Sequence, residues 1–373
     1  TIADGSGGTA SNYTLTGGTH NFTVNRRIVS VSGTRLYDAT TNAIASDLST
    51  HTNLVGSETL NLSGTGTIAS KNVGSNKTVS VGTLTLADGS NGGIAANYTL
   101  SGGTHQLTVN KRPLNATLAR QYDGTTTSAG SILSSLDALQ GGETLTMTGS
   151  GTAASANVAN GIAMSSNGDL ALADGTGSAS NYSLNSTVIN IAKRVLNSTG
   201  SKLYDANTNA LAGAITLGNL VSGEALNHSG TASTSSANVG SYTISNLTGI
   251  TISDGSGGTA SNYTLTGGTH QLTINQRPLN ATLARQYDGT MNAAGSDLSS
   301  FDALQGGETL TLSGSGTAAN DNVANGISVS SLGSLALVNG TGLASNYSLN
   351  SAAINITQRV LNSSGSKTYD ANT

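Results

Sequence analysis

Apolar residues in this chain recur at every second position in short runs. Tyr98 and Leu100 form one such pair, followed by Leu107 and Val109, and the same spacing joins Leu60 with Leu62, Val79 with Val81, Leu145 with Met147 and Tyr242 with Ile244. A period of two is that of a half-buried strand, whose alternate side chains face a core. Gly, Asn, Ser and Thr separate the runs. Ser101-Gly102-Gly103-Thr104, between Tyr98–Leu100 and Leu107–Val109, predicts a β-hairpin. One stretch reads as helical instead: Leu133 to Leu139, with its counterpart at Leu304, predicts one or two helical turns before a Gly-Gly pair. The expected fold class is all-β.

Self-similarity organises these runs. Tyr-Asp occurs at Tyr37, Tyr122, Tyr204, Tyr287 and Tyr369, at spacings of 85, 82, 83 and 82 residues. Asn-Tyr occurs at Asn12, Asn97, Asn181, Asn262 and Asn346, at spacings of 85, 84, 81 and 84. Two markers in step define a repeat. The units are 26–110, 111–192, 193–275 and 276–357, with a partial repeat at 1–25 (the C-terminal part of a unit) and another at 358–373 (the N-terminal part). Each unit runs from an Arg and a strand to Tyr-Asp, then through a Gly-Glu turn (Gly142-Glu143), an Asn-Val element (Asn157-Val158) and an Asp-Gly turn (Asp174-Gly175) to Asn-Tyr. A longer period is superposed. Arg112 to Thr125 is identical to Arg277 to Thr290, while the units at Lys193 and Gln358 share Arg-Val-Leu-Asn-Ser, each pair lying 165 residues apart. Two unit types have therefore been duplicated together, and the chain is expected to be a window onto a longer array.

No Pro/Ser-rich or charged linker separates the units, because Leu107-Thr108-Val109-Asn110 runs through Lys111-Arg112 into the next strand. The expected architecture is a tandem array of small β-sandwich or β-grasp-like repeat domains abutting end to end in an elongated rod, coupled between near neighbours.

Composition removes several function classes. At 373 residues with a net charge of -4 and no basic cluster beyond pairs such as Arg26-Arg27 and Lys111-Arg112, nucleic acid is not an expected partner. No apolar run is long enough to span a membrane, so no membrane insertion of this segment is expected. Without cysteine there is no disulfide framework, thiol catalyst or thiolate metal site. That suits a protein exported through an oxidising compartment.

The pattern Y-D-G/A-x-T, a G-x-E turn, Lys71-Asn72-Val73-Gly74-Ser75-Asn76-Lys77-Thr78-Val79, Leu86-Ala87-Asp88-Gly89 and Ala96-Asn97-Tyr98-Thr99-Leu100 resembles the YDG repeat of bacterial haemagglutinin-like exoproteins, of the two-partner secretion type. The resemblance covers nearly the whole chain. It implies export, an extracellular or cell-surface location, and a spacer role in adhesins and biofilm matrix fibres, with no catalytic residues. The sequence departs from the pattern where the Gly of Y-D-G is Ala39, Ala206 and Ala371, and where the Asp of the A-D-G turn is Asn339.

Candidate sites each have a plainer structural explanation. Asp88, with Asp4, Asp174 and Asp254, could offer oxygens to a calcium ion. An Asp-Gly turn needs the same residues, and Asn339 breaks the acidic series, so the turn is the favoured reading and no metal or other cofactor is expected. Each Tyr-Asp pair could contact a sugar; packing of the rings of Tyr37, Tyr122, Tyr204 and Tyr287 with hydroxyls at the rim, and Asp capping the turn, is favoured instead. Tyr98 and its counterparts are expected in the core. His20, His105 and His270 occupy one equivalent position, whole units apart, and are expected at the surface or a strand edge. Asn97-Tyr98-Thr99 and Asn115-Ala116-Thr117 are formal glycosylation acceptors of a kind that chance supplies in an Asn- and Thr-rich chain.

No catalytic grouping recurs, and an active site would have to be built several times over. The chain is expected not to be an enzyme. The expected function is a structural stalk of a secreted bacterial surface adhesin or biofilm matrix fibre, with other copies of itself as partners in a fibre. The alternative is a repetitive module binding glycan or matrix polysaccharide by avidity. Edge strands rich in Thr and Asn with few Lys would permit homotypic pairing.

Overall fold

A computed structural model describes residues 1–370 and Asn372. The chain packs as two units. The first comprises Thr1–Arg120, Thr126–Ser155 and Ala159–Asn190; the second comprises Gln121–Thr125, Ala156–Val158 and the chain from Ile191 onward.

The repeat at 26–110 shows the plan. Its strands are β1 (Arg27–Ile28), β2 (Ser30–Leu36), β3 (Asn42–Ile44), β4 (Thr50–Thr52), β5 (Leu60–Ser63), β6 (Thr65–Ile68), β7 (Gly74–Ser80), β8 (Thr85–Asp88), β9 (Tyr98–Thr99) and β10 (Gln106–Asn110). Six form a curled sheet in the order β3-β6-β7-β10-β2-β4. Its centre is a parallel pair made by the first and last long strands, with Leu107 beside Gly33 and Val109 beside Arg35. The other neighbours are antiparallel. Two ribbons complete the domain: β5 with β8, antiparallel, and β1 with β9, parallel. Val29, Val31, Leu107 and Val109 from the main sheet meet Leu60, Leu84 and Tyr98 in one core. The alternation read in the sequence places these residues inward, so the all-β expectation holds. The same six-strand order recurs in the other three repeats.

The predicted hairpin does not form. Tyr98–Thr99 pairs with Arg27–Ile28, and Gln106–Asn110 pairs with Ser32–Leu36, both in parallel. They are two parts of one interrupted strand lying along one partner. In the second and fourth repeats the counterpart is a single strand, Tyr182–Ala192 or Tyr347–Thr357. Gly103 sits in the interruption because the backbone passes so close that an added Cβ would lie 2.3 Å from the Val29 carbonyl oxygen.

The helical expectation also fails. Among the described residues the only helical elements are three-residue 3₁₀ turns. Gly130–Ile132 is one, and Leu133–Leu136 that follows is a strand. A bulge explains the misleading spacing: Leu133 faces Leu118 but Ser135 faces Thr117, so Ser134 is an extra residue. The insertion puts Leu133 and Leu136, three apart, on the half-buried face while Ser134 and Ser135 are exposed. Leu298–Phe301 repeats this before Leu304.

The histidines are buried, against the surface expectation: His105 and His270 are each 4% exposed, and only His20 is open to solvent. The Val31 N–H donates to His105 Nδ1 at 3.3 Å, leaving Nε2 to donate to the Leu100 carbonyl at 2.9 Å. The ring thereby pairs backbone groups that the interrupted strand leaves over. His270 makes the same Nε2 contact, with Leu265, and meets Ser198 Oγ through Nδ1.

Candidate functional site at the junctions between repeats

Residues scattered along the repeat converge where one repeat meets the next. In the first unit, Tyr37 and Tyr182 stack edge to face with ring centroids 5.3 Å apart. Both hydroxyls donate to one carboxylate: Tyr37 to Glu143 Oε1 at 2.6 Å and Tyr182 to Glu143 Oε2 at 2.8 Å. Lys71 Nζ lies 2.6 Å from Oε1. Beside them Asn181 works as a clip. Its Oδ1 accepts the Val73 N–H at 2.9 Å, and its Nδ2 donates to Asn72 Oδ1 at 3.0 Å. Tyr-Asp and Asn-Val of the earlier repeat thus meet Gly-Glu and Asn-Tyr of the later one.

The second unit contains the arrangement twice. Tyr122 and Tyr263 share Glu224, at 2.6 Å each, with rings 5.4 Å apart, while Asn262 clips Val158 and Asn157. Tyr204 and Tyr347 share Glu308, again at 2.6 Å each, with rings 5.2 Å apart, while Asn346 clips Val239 and Asn238. The segments 121–125 and 156–158 belong to the second unit with these contacts.

Burial makes the arrangement consequential. Tyr37, Tyr122 and Tyr204 lie in the core, as do their partners Tyr182, Tyr263 and Tyr347, and the clip asparagines are each 1% exposed. Buried carboxylates and hydroxyls are stable only when paired, and here each carboxylate oxygen holds one hydroxyl. Burial, together with the neighbouring carboxylate, pushes the hydroxyls of Tyr182, Tyr263 and Tyr347 up to about 12 and raises those of Tyr37, Tyr122 and Tyr204 too. At Glu143 burial acts upward, but the Lys71 ammonium and both tyrosine hydroxyls outweigh it and hold the carboxyl below its ordinary range.

Sequence reasoning placed the tyrosine rings in the core, and three of the four named Tyr-Asp rings are there. The hydroxyls are not at a rim; they are bonded across the junction. Tyr287 differs, being 40% exposed. The aspartates cap the turn as expected, Asp38 accepting the Thr40 N–H at 2.9 Å and Asp123 the Thr125 N–H at 3.0 Å. Ala39 and Ala206 occupy the glycine place at φ 64°; Ala371 lies outside the described residues. The glutamates were read only as turn residues. A signal was present: the chain's four glutamates, Glu58, Glu143, Glu224 and Glu308, all occupy that one turn.

The Asp-Gly turns are also accounted for locally. Asp88, Asp174 and Asp254 each accept a backbone N–H through Oδ1, from Ala95, Ala179 and Ala260 at 2.8, 2.7 and 2.7 Å. Asn339 does the same for Ala344 at 2.7 Å. One acceptor oxygen is what the position uses, so amide and carboxylate are interchangeable. Asp174→Asn should therefore change stability by less than about 0.5 kcal/mol and Asp174→Ala should cost about 1 kcal/mol, the worth of a typical hydrogen bond. Millimolar calcium should leave the melting temperature unchanged, since a ligand specific to the folded state must raise it. A rise abolished by removing Asp88, Asp174 and Asp254 together would contradict this.

The YDG domain matches the chain four times, at residues 19–107, 106–189, 192–271 and 269–356. No curated protein matches it.

Proposed function

The chain belongs to the YDG-domain family, and from four such domains in tandem we propose a structural spacer: the stalk of a secreted bacterial surface adhesin or of a biofilm matrix fibre. One observation carries this reading. The recurring Tyr, Glu and Asn side chains are spent on fastening each repeat to the next, with their hydrogen-bonding groups turned inward. A module selected for ligand binding or catalysis would turn such groups toward solvent. The missing linkers serve the same end, since Gln106–Asn110 is followed after one residue by Arg112–Gln121. Arg112 Nε also donates to the Tyr37 carbonyl at 2.6 Å, pinning the crossing point.

A spacer must be long, and solution scattering tests that. Repeats of roughly 33 to 40 Å along their strands, laid end to end, give a rod of about 160 Å with a radius of gyration of about 45 Å. A compact globule of this chain length would have about 21 Å. A value near the compact figure on monomeric material would refute the spacer. A glycan array run on the same chain should stay blank; reproducible binding would favour a carbohydrate-binding role.

A further inference from the structure

The two repeat types differ at one point of steric contact in the junction, and that point sets which type follows which. Where a first-type repeat precedes a second-type one, Ala39 and Ala206 face Gly141 and Gly306; a Cβ added to these glycines would lie 2.9 and 3.0 Å from the alanine Cβ. Where a second-type repeat precedes a first-type one, the order inverts. Gly124 replaces the alanine, and a Cβ there would lie 2.9 Å from Val221 Cγ1. Carbon atoms pack at about 3.5–4.0 Å, so a first-type repeat carrying alanine cannot seat the valine of another first-type repeat. The junction accepts the alternating order and rejects a first-type repeat after itself.

Both halves of the glycine–valine junction also stand open on this chain. The fourth repeat presents Tyr287, Gly289 and Val323, with Tyr287 and Val323 40% and 46% exposed, around a cleft of about 500 Å³. The first repeat presents Val55, 50% exposed, with Glu58, Asn97 and Tyr98. Tyr98 donates to Glu58 Oε2, the bond Tyr263 makes to Glu224. Asn97 is exposed where Asn181, Asn262 and Asn346 are buried. We infer that these faces are complementary, so that two copies of the chain associate head to tail: Tyr287 of one donates to Glu58 of the other, Asn97 clips Asn322 and Val323, and Val55 seats against Gly289. Such an interface joins unlike faces and leaves a free face at each end, so association continues beyond the dimer. Asp321 opposes it. It stands where the first repeat has Lys71, and so turns a carboxylate toward Glu58 in place of the ammonium that Glu143 meets.

Sedimentation of the full chain up to about 1 mM tests the inference, at a strength expected of a small interface. Wild type should show concentration-dependent association. Gly289→Ala should raise the dissociation constant at least about tenfold. Its Cβ meets nothing within 4 Å in the chain itself, and Ala39 shows that alanine is tolerated in that backbone conformation, so the variant keeps its fold. Val55→Gln added to Gly289→Ala recreates the alanine-tolerant pairing and should restore association, and Asp321→Lys alone should strengthen it. A wild-type chain monomeric throughout, or Gly289→Ala associating as wild type does, overturns the proposal. The inference rests on junction geometry, and a monomer with the extended radius of gyration would leave the spacer reading intact.

Discussion

Tyr204→Ala should destabilise the chain by about 3 to 5 kcal/mol, the cost of emptying a large buried aromatic site. The ring is 3% exposed and packs on Tyr347, and its hydroxyl fills one oxygen of Glu308. Tyr287→Ala, at the same place in the next repeat, should change stability by less than about 1 kcal/mol, because an exposed ring has little to lose. Urea unfolding of the two variants makes the comparison within one chain. If both substitutions cost the same, the tyrosine stabilises its own domain and the junction contributes nothing.

Alkali should unfold the chain abruptly. Tyrosines in an unfolded chain ionise near pH 10. In the folded chain burial and the shared carboxylate hold Tyr182, Tyr263 and Tyr347 neutral up to about 12. Between those values the folded state keeps protons that the unfolded state has lost, so unfolding becomes more favourable as pH rises. The stability these residues contribute is complete below about pH 10 and is lost by about pH 12. Circular dichroism and phenolate absorbance followed together should therefore change in one step within this window. Phenolate forming at all the junction tyrosines near pH 10 with the β spectrum intact would contradict the shared-carboxylate geometry.

The period-two alternation made the strands legible, because a sheet with one buried face imposes it directly. Leu114, Ala116 and Leu118 are buried and Asn115 is not, as the spacing implies. The hairpin was misread because a turn between two apolar runs is the local pattern of a hairpin, whereas the pairing of Tyr98 with Arg27 is set by residues 71 positions away. The helix was misread because the extra residue Ser134 converts strand alternation into a spacing of three. His105 was misplaced for a related reason: its partners, Val31 N–H and Leu100 C=O, are backbone groups exposed by a strand interruption that sequence does not reveal.

The junction was half legible. Recurrence singled out Tyr-Asp, Gly-Glu, Asn-Val and Asn-Tyr, but each was interpreted inside its own repeat. Their convergence crosses the repeat boundary, with Tyr37 and Glu143 separated by 106 positions. Nothing in local periodicity reports a contact of that range. The concentration of every glutamate at one turn was the available clue, since a carboxylate kept in place through four repeats needs a partner kept there too.

That partnership is what a double-mutant cycle measures. Tyr204→Phe and Glu308→Gln, singly and together in the full chain, should show a coupling of about 1 to 3 kcal/mol in urea unfolding, as expected for residues sharing a buried hydrogen bond. Tyr287→Phe combined with Glu308→Gln should be additive, because Tyr287 makes no bond to that carboxylate. Coupling at Tyr204 and additivity at Tyr287 is the predicted result; additivity at both would contradict the claim that the recurring residues of one repeat are bonded to those of the next.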